Sequence, residues 1–339
     1  MSPSVQGSIE AMQSGSTNQV ELSKSAVEAL PIPVAPPDQQ KSIVAEIEKQ
    51  FSRLDEAVAN LKRVTANLKR YKAAVLKAAV EGKLTEDWRK QHPSVEPANK
   101  LLERILAERR AKWRGKGEYK EPAVPSSANL LPFPPGWCWA TLAQILWQLR
   151  SGTAETSKRE LTEYPVLKSS AVRQGTIDFS DLNYLQKLQS MRRENFLKLG
   201  DFLITRLSGS VDYVGCSAVV KSSLYEGIQY PDRIFCGKLL TGIDGAYLSY
   251  CFQHPMIRKI LECAAKSTAG HQRISMSDLY PLTLPLPPTA EQVRIVAEVE
   301  RRLSVIDELE AILEANLIRA ERLRQSVLKQ AYSGGLINK

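Results

Sequence analysis

The sequence predicts an α+β protein with one mixed α/β domain and two long helices that pack on one another as a coiled coil. Residues 30–84 align with residues 282–336 at a constant shift of 252, without a gap and with 21 identities in 55 positions. Each copy holds a run of about forty residues free of Gly and Pro, with apolar residues three and four apart. Between the copies the texture changes to short β-branched and aromatic runs separated by turn residues, the pattern of strands in a mixed domain.

Taken in order, residues 15–23 align with 267–275 at the same shift, so residues 1–30 are expected to be the tail of a domain whose body the sequence lacks. Residues 31–84 form the first helical region. Pro31, Pro33, Pro36 and Pro37 force an extended start; Phe51, Leu54, Val58, Leu61, Thr65, Leu68 and Val75 make the stripe, and Gly82 marks the stop. Residues 85–134 read as a basic linker with one short amphipathic helix around Leu101, Leu102, Ile105 and Leu106. Its interleaved Trp88, Arg89, Arg109, Arg110, Trp113 and Arg114 suit either a solvated connector or a nucleic-acid contact. Residues 135–280 form the mixed domain, with strands expected at 164–167, 175–179, 201–206, 215–221 and 230–235, and helices near 140–149 and across 246–266. Residues 281–339 repeat the proline start (Pro285, Pro287, Pro288), the stripe (Leu303, Ile306, Leu313, Leu317, Ala320, Val327) and the glycine stop at Gly334, with Glu310 interrupting the stripe opposite Val58.

Composition sets the class. Of 339 residues 43% are hydrophobic and 24% charged, which excludes a disordered, collagen-like or disulfide-scaffold protein. No stretch approaches the ~18 apolar residues of a membrane span, and the first thirty residues lack the apolar core of a secretory signal. Five irregularly spaced cysteines suit the reducing cytoplasm. The net charge of +9 favours polyanions. Its excess lies in residues 85–280, whereas residues 281–339 carry eight basic and eight acidic groups.

The order of motifs is that of a known family. A globular insert, a proline-rich start, Gln292-x-x-Ile295-Val296-Ala297-Glu298-Val299-Glu300 and a helix ending in Val327-Leu328-Lys329-x-Ala331-x-x-Gly334-x-Leu336 resemble the specificity (S) subunit of type I restriction–modification systems. Leu84-Thr85-x-x-Trp88-Arg89, Pro132-x-Pro134-Pro135-Gly136-Trp137, Gly200-Asp201 through Arg206, and Gly270-His271-Gln272-Arg273-Ile274-Ser275 are similar to that family as well. The resemblance implies two antiparallel coiled-coil helices and a target-recognition domain at 135–280. It implies a non-catalytic protein that needs no cofactor, reads half of a split double-stranded DNA target, and binds DNA methyltransferase (modification) subunits and, in the full complex, restriction subunits. The helices would set the distance between half-sites. The family's first recognition domain is absent apart from its tail, so two chains are expected to self-associate through their coiled coils about a dyad. No membrane partner is expected. The alternative is a coiled-coil adaptor whose insert binds protein.

The residues offer no active site. There is no Asn/Asp-Pro-Pro-aromatic methyltransferase motif, Gly-rich phosphate loop or His-Glu-x-x-His. Cys251-x-x-His254 with Cys263 does not complete a zinc site, and Glu81-Gly82-Lys83 reads as a helix cap. Base edges in the major groove call for Arg, Asn and Gln; phosphates call for Lys, Arg, Ser and Thr. Three segments supply them: Arg150-Ser151-Gly152-Thr153 with Lys158; Lys168-Ser169 with Arg173; and Arg206 with Ser208. Arg233, His271, Gln272 and Arg273 join them. Each also suits an ordinary surface position; Arg206 and Lys168 are the first choices.

Overall fold

The computed structural model describes residues 7, 9, 11, 23–29, 32–115, 117–126, 132–187, 193–268 and 270–336. The tail expected at 15–22, together with residues 127–131, 269 and 337–339 of the other expected segments, lies outside them. The chain divides into two compact units, Met1–Lys72 with Leu303–Lys339, and Ala73–Arg302. The helices, in chain order, are α1 (Lys24–Glu28), α2 (Pro37–Val80), α3 (Glu86–Gln91), α4 (Ala98–Ala111), α5 (Leu142–Ile145), α6 (Gly245–Gln253), α7 (Pro255–Ala264), α8 (Met276–Leu279) and α9 (Thr289–Tyr332).

In the first unit α2 and α9 pair along the stripe the sequence predicts. Phe51, Leu54, Val58, Leu61, Thr65 and Leu68 are half-buried, as are Leu303, Glu310 and Leu317, while Ile306, Leu313 and Ala320 are buried. Lys72 meets Asp307 at 3.3 Å, and Arg324 pairs with Asp55 and lies 4.6 Å over the Phe51 ring. Moving from Asp55 to Lys72 on one helix moves from Arg324 back to Asp307 on the other, so the pair is antiparallel.

Both long helices stop in the same way. Gly82 and Gly334 adopt positive φ, +71° and +75°. The amide of Lys83 donates to Ala78 O and that of Gly82 to Ala79 O; Gly335 donates to Gln330 O and Gly334 to Ala331 O. This pair of bonds satisfies carbonyls that the helix end would strand, and the left-handed residue it needs is glycine.

Among the described residues the second unit has twelve short strands: β1 (Cys138–Thr141), β2 (Leu146–Ser151), β3 (Ser157–Lys158), β4 (Pro165–Leu167), β5 (Leu182–Leu185), β6 (Phe202–Thr205), β7 (Leu207–Ser208), β8 (Ser217–Val219), β9 (Ile234–Leu239), β10 (Lys266–Thr268), β11 (His271–Arg273) and β12 (Thr283–Leu286). They form a central antiparallel sheet of order β2-β9-β6-β8, three-stranded sheets β3-β5-β4 and β10-β11-β7, and the pair β1-β12. Val166, Leu167, Leu203, Ala218, Tyr230, Ile234 and Cys236 are buried in this core.

Several local expectations change. The strand expected at 230–235 begins only at Ile234, as β9, after a turn, and the linker expected to hold one short helix holds two, α3 and α4. The apolar spacing of 140–149 suits a helix, but only one turn forms, α5, held by a capping box between Thr141 and Gln144; the flanks become β1 and β2 because each finds a strand partner. The predicted helix across 246–266 breaks into α6 and α7, because Pro255 cannot donate a helical N–H. Residues 175–179 make a turn at Gly175 (φ +79°) with a single bridge between Val172 and Ile177. Within 85–134, α4 buries Ala98, Leu101 and Ile105, with Leu101 and Ile105 packed against Leu240.

Candidate nucleic-acid interface

Three strands of the central sheet end together. Arg150 pairs with Cys236 and Ser151 with Phe235 across β2 and β9, while Ile204 pairs with Phe235 and Thr205 with Ile234 across β6 and β9. The C-terminal ends of β2 and β6 therefore lie beside the N-terminal end of β9. The backbone leaving this end is tied into one network. Gly152 N–H donates to Ile234 O, Thr153 N–H to Tyr230 O and Asp232 N–H to Thr153 O. A Cβ on Gly152 would lie 1.9 Å from Tyr230 O and 2.6 Å from Pro231 O, so this crossing requires glycine. Next along, Arg206 N–H donates to Arg233 O, and Ile274 N–H donates to Arg206 O. Ser208 pairs with Gln272, and Leu207 with Arg273.

Ten sequence-predicted residues thus converge: Arg150, Ser151, Gly152, Thr153, Arg206, Ser208, Arg233, His271, Gln272 and Arg273. Arg233, His271 and Arg273 are exposed; Arg150, Ser151, Arg206, Ser208 and Gln272 are half-buried; Thr153 is buried. Arg206 is anchored, its Nη1 donating to Asp232 O at 3.0 Å and its guanidinium lying 5.4 Å over the Phe235 ring. The opposite end of the sheet differs, with buried Asp201 pairing with Lys238.

The remaining four lie around the β3-β5-β4 sheet. Lys158 is exposed on β3, opposite Tyr184. Lys168 follows β4 and donates to Asp181 Oδ1 at 2.5 Å, while Ser170 donates to the other oxygen. These bonds hold the Asp181 carboxyl below its usual range, the lysine contributing most. Most of the Lys168 charge is therefore spent within the fold, where it ties the end of β4 to Asp181. Ser169 opens a one-turn 3-10 helix, and Arg173 lies 4.6 Å over the ring of Tyr213. Gly175 N–H donates to Ser217 O, which connects this region to the central sheet.

Sequence reasoning missed Tyr213, an exposed aromatic on the loop between β7 and β8; the nearby Gly-Ser run was its only signal. The basic stretch of α4 is largely committed elsewhere. Arg109 donates to Ala143 O, Arg110 pairs with Glu121, and Lys112 pairs with Glu108. Cys251 is buried, which pushes its thiol up to about 12. Among the described residues no group of three or more His, Cys, Asp or Glu is placed to hold a metal ion, and no helix is long and apolar enough to cross a membrane.

No family model matches the chain. Among curated proteins, the type I restriction enzyme EcoKI specificity subunit of Escherichia coli (strain K12) is 27% identical over 323 residues, covering 95% of this chain and 61% of the relative. The EcoEI specificity subunit of Escherichia coli is 25% identical over 356 residues, covering 90% and 59%. The chain is a relative of type I restriction enzyme specificity subunits. It spans about three fifths of the length of these relatives. The fold agrees: a solved chain from work on complex assembly and conformational transition of the type I R-M system superimposes with a TM-score of 0.63 at 18% identity, covering 98% of this chain and 69% of that one. The crystal structure of the HsdS subunit from Thermoanaerobacter tengcongensis gives 0.52 at 18% identity, covering 98% and 68%.

Proposed function

We propose that this specificity-subunit relative reads one half of a split double-stranded DNA target through the β2/β6/β9 end of its recognition domain, and performs no chemistry itself. The observation that carries this is the convergence of four separate chain segments, rich in Arg, Ser, Gln and His, at one end of one sheet. Arg233 and Arg273 are exposed there, and their side chains make no hydrogen bond or ion pair among the described residues, so their donors are available to phosphates or guanine edges. Lys158 and Arg173 extend the surface, and Lys168 supports it from within.

Partner docking belongs to the same proposal. Helix α9 carries exposed Val305, Leu309, Ile312 and Leu323 beside its buried stripe. Apolar surface of this kind suits modification subunits or a second copy of the chain, with restriction subunits joining the assembled complex.

Selection from a pool of randomised duplexes, using the full chain alone and with a modification subunit, tests the DNA assignment. Enrichment of one half-site, with affinity falling steeply as salt rises, is the expected result. Equal recovery of all sequences in both conditions contradicts it and favours the protein-binding adaptor.

A further inference from the structure

Helix α7 aims two side chains, three residues apart on one face, at the loop that joins β7 to β8. Arg258 is buried, and its guanidinium donates to Val214 O at 2.8 Å, Asp212 O at 3.2 Å and Val211 O at 3.5 Å, with Glu262 accepting on its outer side at 3.1 Å. Leu261 closes on the same loop: a Cβ on Gly215, which has φ +70°, would lie 3.0 Å from Leu261 Cδ1. Ser210 caps the loop's single 3-10 turn through the Asp212 amide. The inner side of the loop is thus fixed by a buried fork of charged donors and a tight apolar contact. Tyr213 is exposed on this loop, with the Arg173 guanidinium 4.6 Å over its ring, and half-buried Ser208 and Ser210 precede it.

We propose that Arg258 is a positioning residue for DNA recognition. By holding three carbonyls of one turn it keeps residues 207–214, and with them the Tyr213–Arg173 pair, in a single conformation against the duplex. This rests on the DNA-reading function proposed above. The chemistry favours arginine: a planar fork with five donors can serve several carbonyls and a carboxylate at once, whereas a lysine ammonium on a shorter reach serves fewer. A loop held from within loses less freedom on binding, so more of its contact energy goes into discriminating sequences.

The test is Arg258→Lys in the full chain, with two measurements. The first is hydrogen exchange at the amides of Tyr213 and Val214, which donate to Ser210 O and Val211 O. The second is affinity for the duplex selected by the wild-type chain and for a mixed-sequence duplex, each across a salt series. Exchange at both amides should quicken about tenfold, and preference for the selected duplex should fall about tenfold. The salt slope should stay unchanged, because no phosphate contact is lost. Glu262→Gln leaves the buried guanidinium in place and should shift both readouts the same way by about threefold, which separates loosening of the loop from unfolding. Unchanged exchange in both variants overturns the proposal, as does faster exchange with full preference retained. A wild-type chain that selects no sequence overturns the DNA-reading function instead, whatever the loop's exchange shows.

Discussion

The two copies of the repeat share a helix frame, a stripe and a glycine stop, yet their surroundings differ. At the start of α9, Glu291 and Gln292 are buried, as are Ile295 and Val299. Their counterparts at the start of α2, shifted by 252, are Gln39 and Gln40, both exposed, and Ile43 and Ile47, both half-buried. Glu291 accepts from Thr85 Oγ1 at 2.7 Å, Arg89 Nε at 3.1 Å and Trp137 Nε1 at 2.8 Å. Gln292 accepts from the Asp244 amide and donates to Gly242 O and Pro287 O. Gln40 bonds only its own neighbourhood, at Ala35 O. Periodicity therefore specifies a helix and its partner face, while the role of a helix start depends on what packs over it. In the second copy that is the mixed α/β domain.

The largest test of this contrast is Glu291→Ala. Removing the acceptor strands Arg89 and the indole N–H of Trp137 in a buried setting, and should cost about 3–5 kcal/mol in urea unfolding. Gln39→Ala should stay within about 0.5 kcal/mol; similar costs at both positions would break the comparison. Ile295→Ala comes next, at about 2–5 kcal/mol for a buried isoleucine, against about 1 kcal/mol for half-buried Ile43. Within the shared stripe, Glu310→Leu replaces the half-buried carboxylate that stands where the first copy has Val58, and should raise stability by about 1 kcal/mol, read from the shift of the urea midpoint.

The smallest effect concerns pH. Glu81, at the stop of α2, lies 3.8 Å from buried His254, whereas the hydroxyl of its counterpart Ser333 donates to Gln330 O within its own helix end. Burial holds the His254 imidazole below its ordinary value of 6.5, with the Glu81 charge opposing. The unfolded chain therefore binds a proton more readily than the native one, so stability falls as pH drops below 6.5. His254→Gln should flatten that part of a melting-temperature profile; an equally steep profile would remove His254 as the cause.

Much of this was legible from residue spacing. The duplication, the stripe with Glu310 in it and the glycine stops are local properties of the chain, and the structure reproduces them. Segments 201–206 and 215–221 contain strands because their β-branched and apolar runs are short and bounded by turns. The region 140–149 misled because its spacing fits a helix as well as a strand, and only the partners β12 and β9 decide between them. Ten of the interface residues are brought together by pairings between segments dozens of residues apart, which no periodicity encodes. The same holds for Glu291, whose donors lie 154 to 206 positions away, and for Arg258, an ordinary arginine on an amphipathic helix until the 211–214 carbonyls are placed beside it.

Photocrosslinking of the full chain to its selected duplex, with the attached peptides mapped, measures most directly whether one sheet end reads DNA. Crosslinks should concentrate in residues 150–153, 206–213, 231–233 and 271–273. Concentration in residues 98–114 or along α9, with those segments unlabelled, would contradict the assignment.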